Sequence, residues 1–152
     1  MTSKKLSLET ILGSSLFQNM KQPHLQQIQD ISHLVRIEEG EYIVREGELG
    51  DDLFLILEGD VSVEKKSTSG KIQTITSLGK GDVMGELVLF GHRERTASVR
   101  ADNYLEFLVF DSSSLRELFE KEPEMGYVFM NNLASVLATR MVETTVRLAN
   151  VV

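Results

Sequence analysis

The sequence predicts a mainly β fold, a sandwich or barrel of short strands, with helices at both ends. Three observations carry that reading. Between residues 36 and 110, glycines recur at 40, 47, 50, 59, 70, 79, 81, 85 and 91. Between them lie short aliphatic and β-branched runs bounded by polar turn residues, the texture of closely spaced strands. Before and after this stretch the apolar residues fall at spacings of three and four, the period of a helix.

The elements follow in chain order. Residues 6–35 read as N-terminal helices. Leu8, Ile11, Leu12 and Leu16 form one apolar face, and Leu25, Ile28, Ile31, Leu34 and Val35 form a second. Pro23 sits near the start of the second helix, where a missing N–H costs least. Residues 36–110 read as the barrel, with strands at 42–44, 53–57, 61–63, 72–78, 97–99 and 105–110. Glu58-Gly59-Asp60 and Ser69-Gly70-Lys71 are expected as hairpin turns. Residues 111–150 return to helix. Asp111 or a neighbouring serine caps a short helix through Leu115, Leu118 and Phe119, and a longer helix follows Pro123. The 152 residues contain no repeat and no Pro/Gly/Ser linker, so a single domain spanning 1–152 is expected.

Composition excludes several functions. The net charge of −7 argues against direct nucleic-acid binding, which calls for a basic face. With no cysteine there is no disulfide, thiolate metal site or iron–sulfur cluster, and a cytoplasmic location is expected. The longest apolar run, 53–57, is far too short to cross a bilayer. His24, His33 and His92 are scattered without metal-ligand spacing, so no metal is expected and they read as solvent or packing residues. That weighs against a cupin-like enzyme. No Ser-His-Asp set or hydrolase carboxylate pair stands out, and no catalytic residue is assigned.

The chemistry lies in the segment Gly81-Asp82-Val83-Met84-Gly85-Glu86-Leu87-Val88-Leu89-Phe90-Gly91-His92-Arg93-Glu94-Arg95-Thr96-Ala97-Ser98-Val99-Arg100-Ala101. Met84 ends a strand, and Gly85 permits a sharp turn with close backbone approach to a ligand. Residues 86–90 can form about one helical turn with free N–H groups at its start. A loop through Gly91 then carries Arg95 back over that turn. The cradle combines backbone donors, the Arg95 guanidinium and the Thr96 hydroxyl. Glu86 would accept a hydrogen bond from a ribose hydroxyl and also orient or neutralise Arg95. Phosphate, ribose hydroxyl and apolar walls together describe a nucleotide. Arg93 and Arg100 read as surface charges.

Gly85-Glu86-Leu87-Val88-Leu89 followed by Arg95-Thr96-Ala97 resembles the phosphate-binding cassette of the cyclic nucleotide-binding domain family. Gly40-Glu41-x-Ile43, Glu46-Gly47-Glu48 with Asp51-Asp52, Ile56-Leu57-Glu58-Gly59-Asp60-Val61 and Leu16-Phe17-Gln18-Asn19-Met20 are similar to that family's pattern too, so roughly residues 12–148 are covered. The resemblance implies an eight-stranded jelly-roll (double-stranded β-helix) barrel with N-terminal helices and a long C-terminal helix. It implies backbone contacts to cAMP or cGMP from Gly85 and Leu87, a ribose 2′-OH contact from Glu86, and phosphate contacts from Arg95, Thr96 and Ala97. Val63, Ile75, Leu78 and Met84 are candidates for the wall around the base. A non-enzymatic sensor is the expected function. The alternatives are a degenerate domain of the same fold that binds proteins or another ligand and, behind it, the cupin-like enzyme.

The last helix carries a second expectation. Met130, Ala134, Leu137, Met141, Thr144, Leu148 and Val151 alternate spacings of four and three, a coiled-coil seam that points to a homodimer. Phe129, Leu133 and Val136 form a second stripe that stops where Arg140, Glu143 and Arg147 begin. The first half should dock on the barrel, and Arg140 is the candidate side chain for reaching the nucleotide. Relatives of this type usually continue into a DNA-binding domain. This chain stops at Val152, so it reads as a stand-alone sensor or part of a longer protein with an unknown downstream partner.

Overall fold

A computed structural model describes residues 11 and 13–151; Leu8 and Leu12 of the expected first helix lie outside the described residues. A 3-10 turn at Ser15–Phe17 precedes helix α1 (Gln22–Asp30), with Pro23 in its first turn. Eight strands follow: β1 (Ser32–Ile37), β2 (Tyr42–Val44), β3 (Asp52–Glu58), β4 (Val61–Lys66), β5 (Ile72–Leu78), β6 (Val83–Met84), β7 (Ser98–Ala101) and β8 (Leu105–Asp111). A 3-10 helix, Glu86–Phe90, stands between β6 and β7. Helices α2 (Ser112–Lys121) and α3 (Pro123–Val151) complete the chain. Asp111 caps α2, its carboxylate accepting from the Ser114 N–H at 3.0 Å.

The strands form two four-stranded antiparallel sheets, ordered β1-β8-β3-β6 and β2-β7-β4-β5, in a jelly-roll arrangement. β3 explains how the layers assemble. Its run Leu-Phe-Leu-Ile-Leu is buried at every position because the two faces of one strand meet two different cores. Phe54 and Ile56 point between the sheets with Val61, Met84, Val99, Leu105 and Phe107. Leu53, Leu55 and Leu57 point outward and are covered by Leu16, Phe17, Ile28, Leu115, Phe129 and Leu133 from the helical segments. The helices therefore seal the outer face of one sheet and leave the other sheet's polar face to solvent.

Three expectations need correction. The N-terminal helical region ends at Asp30 rather than 35, and Leu34 and Val35 belong to β1. They alternate between cores, Leu34 packing with the outer cluster and Val35 with the inner one. Pairing with β8 overrides the chance three-residue spacing from Ile31 to Leu34. Glu58-Gly59-Asp60 is not a hairpin. It carries the chain from β3 in one sheet to β4 in the other. Gly59 has φ 95°, and a Cβ there would collide with the Tyr104 carbonyl oxygen. Ser69-Gly70-Lys71 does close a hairpin, β4–β5. In α3, Met125, Phe129 and Leu133 are fully buried and Leu137 packs beside them, so Leu137 joins the docked stripe rather than the outer seam.

Candidate functional site

A cavity of about 210 Å³ opens where the inner faces of the sheets meet the 3-10 helix Glu86–Phe90. Gly85 starts this corner with φ 80°, and a Cβ there would lie 3.0 Å from the Asp52 carbonyl oxygen and 3.1 Å from Arg95 Nη1. Glycine thus lets the backbone turn and lets the arginine lie against it. Gly85, Glu86, Leu87, Arg95, Thr96 and Ala97 all line the same cavity, as do Val63, Leu78, Met84 and Arg140.

Arg95 is 9% exposed. One guanidinium N–H donates to the Asp52 carbonyl at 3.0 Å, and the group sits 5.4 Å from the centre of the Phe54 ring. Among the described residues it forms no ion pair within 4 Å. Burial lowers its pKa from the ordinary arginine value, while the fields of Asp52, Asp51 and Glu48 oppose that shift. A desolvated cation without a contacting carboxylate is costly, and such a site favours an anion. Burial also raises the Asp52 carboxyl, with Asp111 adding repulsion.

The loop before β3 seats this arginine. The Arg95 N–H donates to the Glu48 carbonyl at 2.8 Å, the Gly47 N–H to the Arg95 carbonyl at 2.8 Å, and the Gly50 N–H to the Arg93 carbonyl at 3.0 Å. Any Cβ at Gly50 would collide with the Arg95 guanidinium. Gly50 therefore belongs to the seat of Arg95 without lining the cavity. Its only sequence signal was a glycine beside the acidic pair Asp51-Asp52.

The cyclic nucleotide-binding domain family matches residues 34–122, more than half of the chain and the whole of the site up to α3. The chain belongs to the cyclic nucleotide-binding domain family. It is 26% identical over 144 residues to a CRP-like cAMP-activated global transcriptional regulator of Mycobacterium tuberculosis, covering 95% of this chain and 62% of that protein. It is 35% identical over 115 residues to the cGMP-dependent protein kinase isozyme 1 of Drosophila melanogaster, covering 74% of this chain and 15% of the kinase. A crystal structure of a cyclic nucleotide-binding domain from Methylobacillus flagellatus matches with a TM-score of 0.88 at 26% identity, covering 99% of this chain and 85% of that one. The domain thus spans under two thirds of the length of the mycobacterial regulator.

Within this cyclic nucleotide-binding domain, several side chains differ from expectation. Glu86 is buried, yet its partner is Arg140, 2.8 Å from Oε1, and not Arg95. Arg140 also donates to the Val83 carbonyl. Ile75 does not line the cavity. It faces a neighbouring groove between β5 and α3, while Thr76 takes a place on the cavity wall. The reason is strand parity: Leu78 and Ile75 are three apart and point to opposite faces, whereas Leu78 and Thr76 share one.

His92 and Glu94 line the cavity as well, although His92 reads from sequence as a solvent or packing residue. Their side chains offer no periodic signal because they sit on a loop. Arg93 pairs with Asp51 at 2.7 Å on the surface. Arg100 is no free surface charge: it binds the buried Glu64 at 3.0 Å, which also accepts from the Tyr42 hydroxyl at 2.8 Å. Among the described residues no helix is long and apolar enough to cross a membrane, and no three His, Asp or Glu side chains converge on a metal-sized site.

Proposed function

We propose that this domain senses cAMP or cGMP and passes the signal on through its C-terminal helix. The observation that carries this reading is Arg95, a buried guanidinium without a contacting carboxylate among the described residues, aimed into a cavity with a carboxylate at one side and apolar walls. In this reading Arg95 holds the cyclic phosphate with the Thr96 hydroxyl and the Ala97 backbone. Gly85 and Leu87 supply backbone contacts, and Glu86 accepts from the ribose 2′-OH. Its Oε1 already accepts from Arg140, which leaves Oε2 for the sugar. Val63, Leu78 and Met84 flank the base.

Arg140 is the link to α3. It binds Glu86 and the Val83 carbonyl, so a nucleotide that engages Glu86 changes the balance of contacts holding the helix. The outward side of the helix beyond it, with Met141 and Leu148 exposed, supports assembly as a homodimer. The names of the relatives, one cAMP-activated and one cGMP-dependent, support both nucleotides as ligands. Downstream, a protein partner or a further domain would read the helix.

The test is Arg95→Ala. Losing a charge-assisted contact from a desolvated site should weaken cAMP binding by about 2–5 kcal/mol, while the far-ultraviolet circular dichroism of the fold is retained. Equal calorimetric affinity of wild type and variant would defeat the assignment of the phosphate to Arg95.

A further inference from the structure

The 3-10 helix Glu86–Phe90 is the least self-supporting element of the site. It runs for only five residues, and the Val88 N–H reaches the Gly85 carbonyl at a long 3.4 Å, in keeping with the weaker i→i+3 bonds of a 3-10 helix. Its two ends are instead held from outside by arginines on different helices. Arg140 of α3 takes the first residue, Glu86, as described above. Arg116 of α2 takes the other end: its Nη2 donates to the Leu89 carbonyl and, at 3.3 Å, to the Val88 carbonyl.

Arg116 is poorly explained as a surface charge. Among the described residues it forms no ion pair, so its guanidinium is committed to these carbonyls. The adjacent Leu115 is fully buried in the same outer cluster as Val88 and Leu89, which fixes the register of α2 against the short helix. The two hydrogens of this one Nη2 serve two neighbouring carbonyls, and a cation is favourable beside carbonyls that point out of a helix end. Phe90 and Gly91 follow directly, and the chain then returns to Arg95. The placement of the Val88–Leu89 carbonyls therefore sets where the loop to Arg95 begins.

We propose that Arg116 is a positioning residue of the nucleotide site, which it never touches. It holds the far end of the short helix so that Glu86 and Arg95 converge, and it ties any displacement of that helix to α2. This rests on the reading of the cavity as a cyclic nucleotide site.

The test compares the whole chain, wild type, with Arg116→Ala and Arg116→Lys. Three quantities are measured: cAMP affinity by calorimetry, melting of the nucleotide-stripped protein, and amide hydrogen exchange across residues 86–92. The expected result for Arg116→Ala is a loss of affinity of roughly tenfold or more, with melting within about 3 °C of wild type and faster exchange confined to residues 86–92. Lysine keeps the charge on a shorter side chain without the planar head and should recover part of the affinity. Should the alanine variant fail to fold, the lysine and glutamine variants carry the same comparison. Affinity within twofold of wild type overturns the proposal. So does a loss of affinity that simply follows lowered melting and faster exchange throughout the chain, since that marks a general brace. If wild type binds neither cAMP nor cGMP at millimolar concentration, the reading of the cavity falls; exchange at residues 86–92 still reports whether Arg116 holds the short helix.

Discussion

Arg95 is held by backbone rather than by a counter-charge, and that shapes what its neighbours contribute. Gly50 leaves room for the guanidinium, and its backbone is not in the left-handed region, so alanine is tolerated conformationally. Gly50→Ala should therefore melt close to wild type yet bind cAMP about tenfold worse or more, because the arginine is pushed off its seat. An unchanged calorimetric affinity would show that Arg95 has another productive position. Glu86 gives a second handle. Replacing cAMP by its 2′-deoxy form should cost about 1.5–3 kcal/mol, the range for a hydrogen bond to a charged group. Glu86→Ala should shrink that difference, and equal wild-type affinity for both ligands would remove the sugar assignment. The resemblance of Gly85-Glu86-Leu87 and Arg95-Thr96-Ala97 brought these residues out of the sequence. Gly50, His92 and Glu94 were illegible there because loop residues carry no period and their convergence depends on hydrogen bonds across more than 40 residues, such as Gly50 to Arg93.

At the scale of elements, α3 is two helices in function. Up to Leu137 one face is docked: Met125, Phe129 and Leu133 are buried, and Asn132 donates to the Leu16 and Gln18 carbonyls at 3.0 and 2.8 Å. Beyond that, Met141, Val142, Val146 and Leu148 are 56–71% exposed. A chain ending at Ala138 keeps the apolar contacts of Met125, Phe129, Leu133 and Leu137 while losing Arg140, with its bonds to Glu86 and Val83, and the exposed half. It should melt near wild type, scatter light as a monomer, and bind cAMP more weakly than the intact chain. A full-length monomer at high concentration would refute the seam, and unchanged affinity after truncation would refute the role of Arg140. Strand parity marks the limit of sequence reading at this scale. The run 72–78 was legible as a strand, but which of its faces points inward depends on pairing with β4, where Val63 faces Thr76 and a register shift follows. β1 was missed for the same reason: its partner β8 lies some 70 residues away, and local spacing resembled a continued helix.

At the scale of the molecule, the jelly roll was legible because its strands are short, regularly punctuated by glycine, and flanked by sequences with helical period. The division of labour between the sheets was not, since the all-apolar β3 could have been a core strand of many folds. What the assembly does is bring a short helix after β6, the loop that carries Arg95 into β7 and an arginine from α3 to one cavity, so that three parts of the chain share its wall. The net charge of −7 leaves the buried Arg95 without a contacting carboxylate among the described residues. The direct test is calorimetric titration of the intact chain, refolded from denaturant to strip bound nucleotide, with cAMP and with cGMP. The account predicts saturable binding of one nucleotide per chain with a dissociation constant well below about 1 mM, the level that corresponds to roughly −4 kcal/mol. Absence of heat and of any competition by either nucleotide at that concentration, in protein shown to be folded, would contradict it.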